Sequence, residues 1–287
     1  MAKNAKNGIV VLGKVGPVRS YQRNGKTYTR VAHNVRNLPL SHKSAKNAVE
    51  ARLRFHASIV LWSVAKEFCY GCFSDKKEGQ TDFNIFMSHN AMKGVFLTKA
   101  ETKEMGVQVA VPLQISQGSV ETIDERIDGG RIVTNLSLGE LVIGPETTVG
   151  EFAWELISNN KSLEEDDELW FVGLEQTMEP HISEKVPKCQ AVKLTLTLKR
   201  NDTRKLTAVF PETYLSQVGN NIATSTDLPS GCYTFVICHP VSEDESVFST
   251  QTLLSLNDEM ISRYTSAEQF ELAAASYGGY NKSFIVN

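Results

Sequence analysis

No stretch of this sequence stays apolar for long enough to cross a bilayer. The most hydrophobic run, residues 57–65, falls far short of the roughly 20 residues that a spanning helix needs. No basic-then-apolar leader marks the chain for secretion, and no membrane partner is expected. Five cysteines at irregular spacings cannot all pair with one another, which favours a reducing cytoplasm over a disulfide scaffold. Internal repeats and low-complexity linkers are also missing, and a composition of 41% hydrophobic and 22% charged residues excludes wholesale disorder, collagen and coiled coil.

Catalytic punctuation is equally scarce. There is no HExxH and no GxSxG, and the histidines His33, His42, His56, His89, His181 and His239 stand apart from any serine or cysteine context that marks a nucleophile. The segment from Gly8 to Lys14 has most of the phosphate-loop spacing, but Val15 follows where magnesium needs a hydroxyl, and no strand of useful length precedes it. Cys69 and Cys72 form a CxxC pair that Cys232, Cys238 and His239 could extend to a zinc site. The second knuckle is too open for that, so buried reduced thiols are expected. The run Glu164, Glu165, Asp166, Asp167, Glu168 lacks the alternation and central glycine of a calcium loop and reads as a solvated acidic turn. No catalytic residue, cofactor or metal is expected, and an enzyme is the poorest of the readings.

What the sequence does have is a strong separation of charge. Residues 1–56 hold twelve Lys or Arg against the single acid Glu50, a net of about +11, whereas the remainder carries about −14. A basic head on an acidic body can meet phosphate, or it can meet the acidic body of a neighbouring copy or another protein.

Within the head, VRSYQRNGKTYTRV at 18–31 predicts a β-hairpin, because Asn24-Gly25 is the strongest short signal for a two-residue turn. That register sets Arg23 opposite Lys26, Tyr21 opposite Tyr28 and Arg19 opposite Arg30, and strand alternation places all six on one face. Cations directly opposite one another destabilise a ladder, so this face calls for an anionic surface.

Beyond Pro39, a helix capped by Ser41 or Ser44 is expected to run to about Phe68 on the stripe Val49, Leu53, Val60, Val64 and Phe68, with Ala45, Ala57 and Leu61 beside it. A second helix is expected at 82–92. From Val107 the apolar period becomes two, predicting strands at 107–115, 132–143, 169–174, 192–199, 233–238 and 247–254, with short helices at 148–159 and 266–277. The expected fold class is α+β: a basic arm and hairpin over 1–40, two helices within 41–105, and a mainly antiparallel, sandwich-like β body with short helices over 106–287.

Two groups of residues carry a resemblance. GKVGPVRSYQRNGKTYTRV, followed by the lead into a long helix, resembles the start of a protein family of Bacteroidota and their phages that shows a GKxG turn, a YxRxGK hairpin and a long helix in this order. Ser249-Thr-Gln-Thr252 after a strand and Ser276-Tyr-Gly-Gly279 after a helix resemble proteins of crAss-like phages. The likeness covers about the first 70 and last 60 residues, and 100–220 has no counterpart. It implies a non-enzymatic virion structural protein of the tail or head-to-tail ring class, assembled in the bacterial host cytoplasm. Its partners would be copies of itself in a ring or tube and other virion proteins. The expected assembly interface is Arg19, Tyr21, Arg23, Lys26, Tyr28 and Arg30 against Glu164, Glu165, Asp166, Asp167 and Glu168. Nucleic acid on the hairpin is the less favoured alternative.

The basic excess and the early glycines Gly8, Gly13 and Gly16 predict that the segment up to about Pro39 orders only on assembly. Trypsin should then cut the free protein at Arg19, Arg23 or Arg30 well before the body, and equal resistance before and after assembly would refute this.

Overall fold

The computed structural model describes residues 2–3, 13–15, 18–23, 26–31, 43–74, 76–182, 184–242 and 245–278. Four N-terminal strands, β1 (Ala2–Lys3), β2 (Gly13–Val15), β3 (Val18–Arg23) and β4 (Lys26–Val31), precede the long helix α1 (Lys43–Cys69) and the shorter α2 (Asp82–Asn90) and α3 (Lys99–Lys103). The body follows as β5 (Glu125–Asp128), β6 (Arg131–Ser137), α4 (Val149–Asn159), β7 (Glu168–His181), β8 (Glu184–Thr197), α5 (Leu206–Val209), β9 (Ser216–Val218) and β10 (Asn221–Ala223). It closes with β11 (Gly231–Pro240), β12 (Ser246–Phe248), β13 (Leu254–Ser255), α6 (Asp258–Thr265) and α7 (Ala267–Ser276). The chain is α+β, with antiparallel strand pairing throughout these three sheets: β1-β4-β3-β2, β5-β6-β10-β9, and β12-β11-β7-β8 with β13 also on β11.

The third sheet organises the body. Along β7 and β11 successive side chains point to opposite faces. Trp170, Val172, Leu174, Cys232, Val236 and Cys238 join one core with α1 and α2. Leu169, Phe171, Tyr233, Phe235 and Ile237 join another with α4, β6 and β10. Because both faces are covered, β11 is apolar almost without interruption rather than alternating. Gly173 sits mid-strand in β7 because a Cβ there would lie 2.3 Å from the Tyr233 ring and 2.5 Å from the Cys232 carbonyl. That close approach lets Tyr233 stack on Phe171 at a centroid distance of 5.4 Å.

Helix α1 spans the expected region and buries Val49, Leu53, Ala57, Leu61, Ala65 and Phe68 at helical spacing. Val60 and Val64, expected in the main stripe, are half-buried at its margin. Ser44 falls inside the helix and so is not its cap, while Ser41 lies outside the described residues. The first half of α1 packs on α7 through Val49, Leu53, Phe270, Ala273 and Ala274. Helix α4 begins at a capping box in which Thr148 and Glu151 satisfy each other's backbone N–H.

Residues 107–115 form no regular strand, contrary to their alternation. Val107, Val109, Val111, Leu113 and Ile115 are buried as expected, but Pro112 has no N–H to give and side-chain amides take the place of a neighbouring strand. Asn90 both donates to the Gln114 carbonyl and accepts from its N–H, each at 2.8 Å. Gln176 accepts from Ala110 N–H at 2.9 Å and donates to the Gln108 carbonyl at 3.1 Å. The strand expected at 247–254 is split in two for a related reason. After β12 the chain leaves β11 to pair with this segment, where Leu253 N–H donates to the Leu113 carbonyl at 2.9 Å, and it rejoins β11 as β13.

That departure opens a gap along the outer edge of β11, filled by Ser249 and Glu125. Ser249 exchanges hydrogen bonds with the Ile237 backbone. Glu125 accepts from the Phe235 N–H at 2.7 Å and the Thr234 hydroxyl at 2.6 Å. Burial pushes the Glu125 carboxyl up from about 4.5 to about 8, against the opposing pull of those two hydrogen bonds. A carboxyl held above its unfolded value favours the folded state most at low pH and loses that contribution as pH rises from about 4.5 to about 8. Relative to Glu125→Gln, which keeps an acceptor but has no charge, the wild-type protein should lose stability across that window. Urea midpoints between pH 5 and 9 measure the difference, and a flat difference would contradict a buried titrating carboxyl.

Candidate assembly surface

The N-terminal sheet has the expected hairpin register, with Arg19 opposite Arg30, Tyr21 opposite Tyr28 and Arg23 opposite Lys26. The turn residues 24–25 lie outside the described set. Pairing adds two positions to this face that hairpin reasoning alone misses. Strand β2 sets Lys14 opposite Arg19, and β1 sets Lys3 opposite Tyr28. Cross-strand partners share a side of a sheet and alternate residues change sides. By register, one side therefore holds Lys3, Lys14, Arg19, Arg23, Lys26 and Arg30 around Tyr21 and Tyr28, and the other holds uncharged residues such as Val15, Val18, Ser20, Thr29 and Val31. The signal for Lys14 is present in the sequence, since only Gly16 and Pro17 separate its strand from β3. The place of Lys3 depends on a long-range pairing that no local pattern announces.

Like charges directly opposite one another destabilise a strand pair. The row Lys14, Arg19, Arg30 and the pair Arg23, Lys26 therefore weaken the sheet on its own and favour an anionic neighbour.

The acidic run is not a uniform solvated turn. Glu164, Glu165 and Asp166 are exposed, and Asp166 takes a left-handed φ of 72°. Asp167 turns inward, 1% exposed, where one oxygen accepts from Glu164 N–H at 2.8 Å and the other lies 2.6 Å from His239 Nδ1. The physical reason is that a buried carboxyl group is tolerated only when hydrogen-bonded, and the turn supplies one partner while β11 supplies the other. Glu168 starts β7 and accepts from Trp170 Nε1 at 2.7 Å. The surface that can meet a partner is the Glu164, Glu165, Asp166 part of the run; Asp167 and Glu168 fasten the turn to the sheet.

His239 is joined to Asp167 rather than to a cysteine. Among the described residues no hydroxyl or thiol bonds to its ring, so the pair has the geometry of an orienting contact without a nucleophile beside it. No cluster of three or more His, Cys, Asp or Glu that could hold a metal occurs among the described residues. All five cysteines are unbonded to one another and buried. Burial raises every thiol: Cys69 and Cys189 well above the ordinary range, Cys72 and Cys232 to about 12, and Cys238 to about 11. A thiol held protonated in an apolar core is a poor nucleophile.

No protein-family profile, no curated protein and no solved structure matches this chain.

The native protein should therefore react with a soluble thiol reagent at well under one cysteine per chain at pH 8, and at five per chain once unfolded. Rapid modification of Cys69 or Cys72 in the native state, or zinc bound by them on elemental analysis, would show that these thiols are accessible or ligating.

Proposed function

We infer that this chain is a non-enzymatic structural component that assembles through its basic N-terminal sheet, in a phage virion as part of a tail or head-to-tail ring. The observation that carries the reading is the strand register of the N-terminal sheet, which sets six cations and two tyrosines at positions of one side, on a chain whose remaining residues are strongly acidic. The virion setting, with assembly in the bacterial host cytoplasm, rests on the resemblance of the chain's two ends to phage proteins. For the location, the structure offers only the statement that no helix among the described residues is long and apolar enough to cross a membrane. Assembly by this route needs no strong single contact. Exposed ion pairs are worth about 0–1 kcal/mol each, but repeated contacts gain strength when closing a ring makes each later one intramolecular.

A second reading has one observation in its favour. Tyr21 directly opposite Tyr28, between rows of cations, is also a platform on which single-stranded nucleic acid can stack while its phosphates are neutralised.

Light scattering and negative-stain microscopy at low salt and at about 1 M salt, where charge pairing collapses, test the two. Rings or filaments at low salt are expected. Replacing Arg19, Arg23, Lys26 and Arg30 by glutamate should abolish them while leaving the melting temperature of the body unchanged. If that variant assembles normally and instead loses single-stranded DNA binding, the nucleic-acid reading replaces assembly.

A further inference from the structure

The body carries a second feature that the charge argument leaves unused. Trp154 on α4 is 54% exposed, and Val142 nearby in sequence to Leu141 is 75% exposed. Leu141, Gly150, Glu151, Trp154, Glu155 and Arg200 line a hollow of about 330 Å³. Tryptophan dominates binding energy at interfaces out of proportion to its abundance, and here it stands open between two carboxylates one helical step apart. Glu151 is fully exposed, and hydrogen bonds from Thr148 hold it below the usual carboxylate range, so it stays charged. Two local ion pairs beside the hollow, Asp202 with Arg204 at 2.6 Å and Asp166 with Lys199 at 3.6 Å, offset their own charges.

Arg200 ties this hollow to the acidic turn. Its guanidinium lies 4.9 Å over the Trp154 ring, while its backbone N–H donates to Glu165 at 3.4 Å. The exposed end of the acidic run and the tryptophan hollow are thus one continuous surface.

We propose that this surface, centred on Trp154 and flanked by Glu151, Glu155 and Glu165, is the seat for the basic tyrosine-bearing side of the N-terminal sheet of a second copy. The match is one of charge and chemistry: a tyrosine from the Tyr21, Tyr28 row meets the part of the Trp154 indole that Arg200 leaves exposed, and cations of the adjacent rows meet the carboxylates. Donor and seat are different patches, so the contact is head-to-tail, and it propagates into a ring or a filament rather than stopping at a symmetric dimer. The proposal rests on assembly through the N-terminal sheet and names what receives it.

Two full-length variants separate the proposal from that reading. One has Arg19, Arg23, Lys26 and Arg30 replaced by glutamate and keeps the seat; the other carries Trp154→Ala with Glu155→Lys and keeps the sheet. Glu151 is left alone because it caps α4. Each variant should remain monomeric by light scattering at low salt, with self-association weakened about tenfold or more. Circular dichroism and melting temperature should match the wild-type protein. Mixed in equal amounts at low salt and chemically cross-linked to trap a single weak contact, they should give a one-to-one product that neither gives alone and that grows no further, since one intact donor and one intact seat remain. If the Trp154, Glu155 variant assembles like wild type while the sheet variant does not, this surface is wrong and assembly through the sheet stands. Failure of the mixture to form a heterodimer also overturns the seat. A wild-type protein that is monomeric at every salt concentration removes both.

Discussion

Strand β11 is the constraint on which the rest of the body depends. Both of its faces are covered and both of its edges are occupied, so its backbone N–H and carbonyl groups have no access to water and must be satisfied from within. Strand β7 satisfies one edge over Gly231 to Cys238. The other edge is shared among β13, β12 and, between them, the side chains of Glu125 and Ser249. A carboxyl in that position is a costly choice that brings a pH sensitivity an amide would not have. It also anchors the second sheet to the third, since Glu125 belongs to β5.

The same need explains the buried amides. Residues 107–117 run through the core beside α1, α2 and β8 with only scattered backbone pairing, to residues 251–253 among others, so several of their peptide groups require side-chain partners. Asn90, Gln176 and Asn257 supply them, with Asn257 donating to the Ala110 carbonyl at 3.0 Å and to Gln176 at 3.1 Å. A primary amide offers donor and acceptor on separate atoms at about the spacing of a peptide group, so it can stand in for a strand. These three side chains join α2, β7 and the loop before α6 around one extended segment, which is why the helical region and the β body share one core.

Outside this closed interior, charge is distributed unevenly between the N-terminal region and the body. The cations of the N-terminal sheet oppose one another across its strands, a layout that folding alone would not favour. The acidic turn at 164–166 and the hollow at Trp154 lie on the far side of the main sheet from α1, on the layer built by α4. The assembly proposed above would account for both features with one contact.

Local periodicity determined much of this protein from sequence alone. The hairpin register followed from Asn24-Gly25 and alternation, α1 from its 3.6-residue stripe, and the apolar runs of β7 and β11 from their unbroken hydrophobicity; each depends on residues within a few positions of one another. The charge division between head and body needed only counting. Contacts between distant segments were decided by tertiary structure. Alternation at 107–115 implied a strand, but a strand exists only with a neighbour, and here amide side chains from elsewhere took that place. The acidic run looked solvated because nothing near it announces His239, 72 residues away, which draws Asp167 inward. Lys3 joined the cationic face through β4, and Trp154 stayed outside the core although its helix neighbours Phe152, Ala153 and Leu156 are buried, because which face of an amphipathic helix remains open is settled by what packs against it.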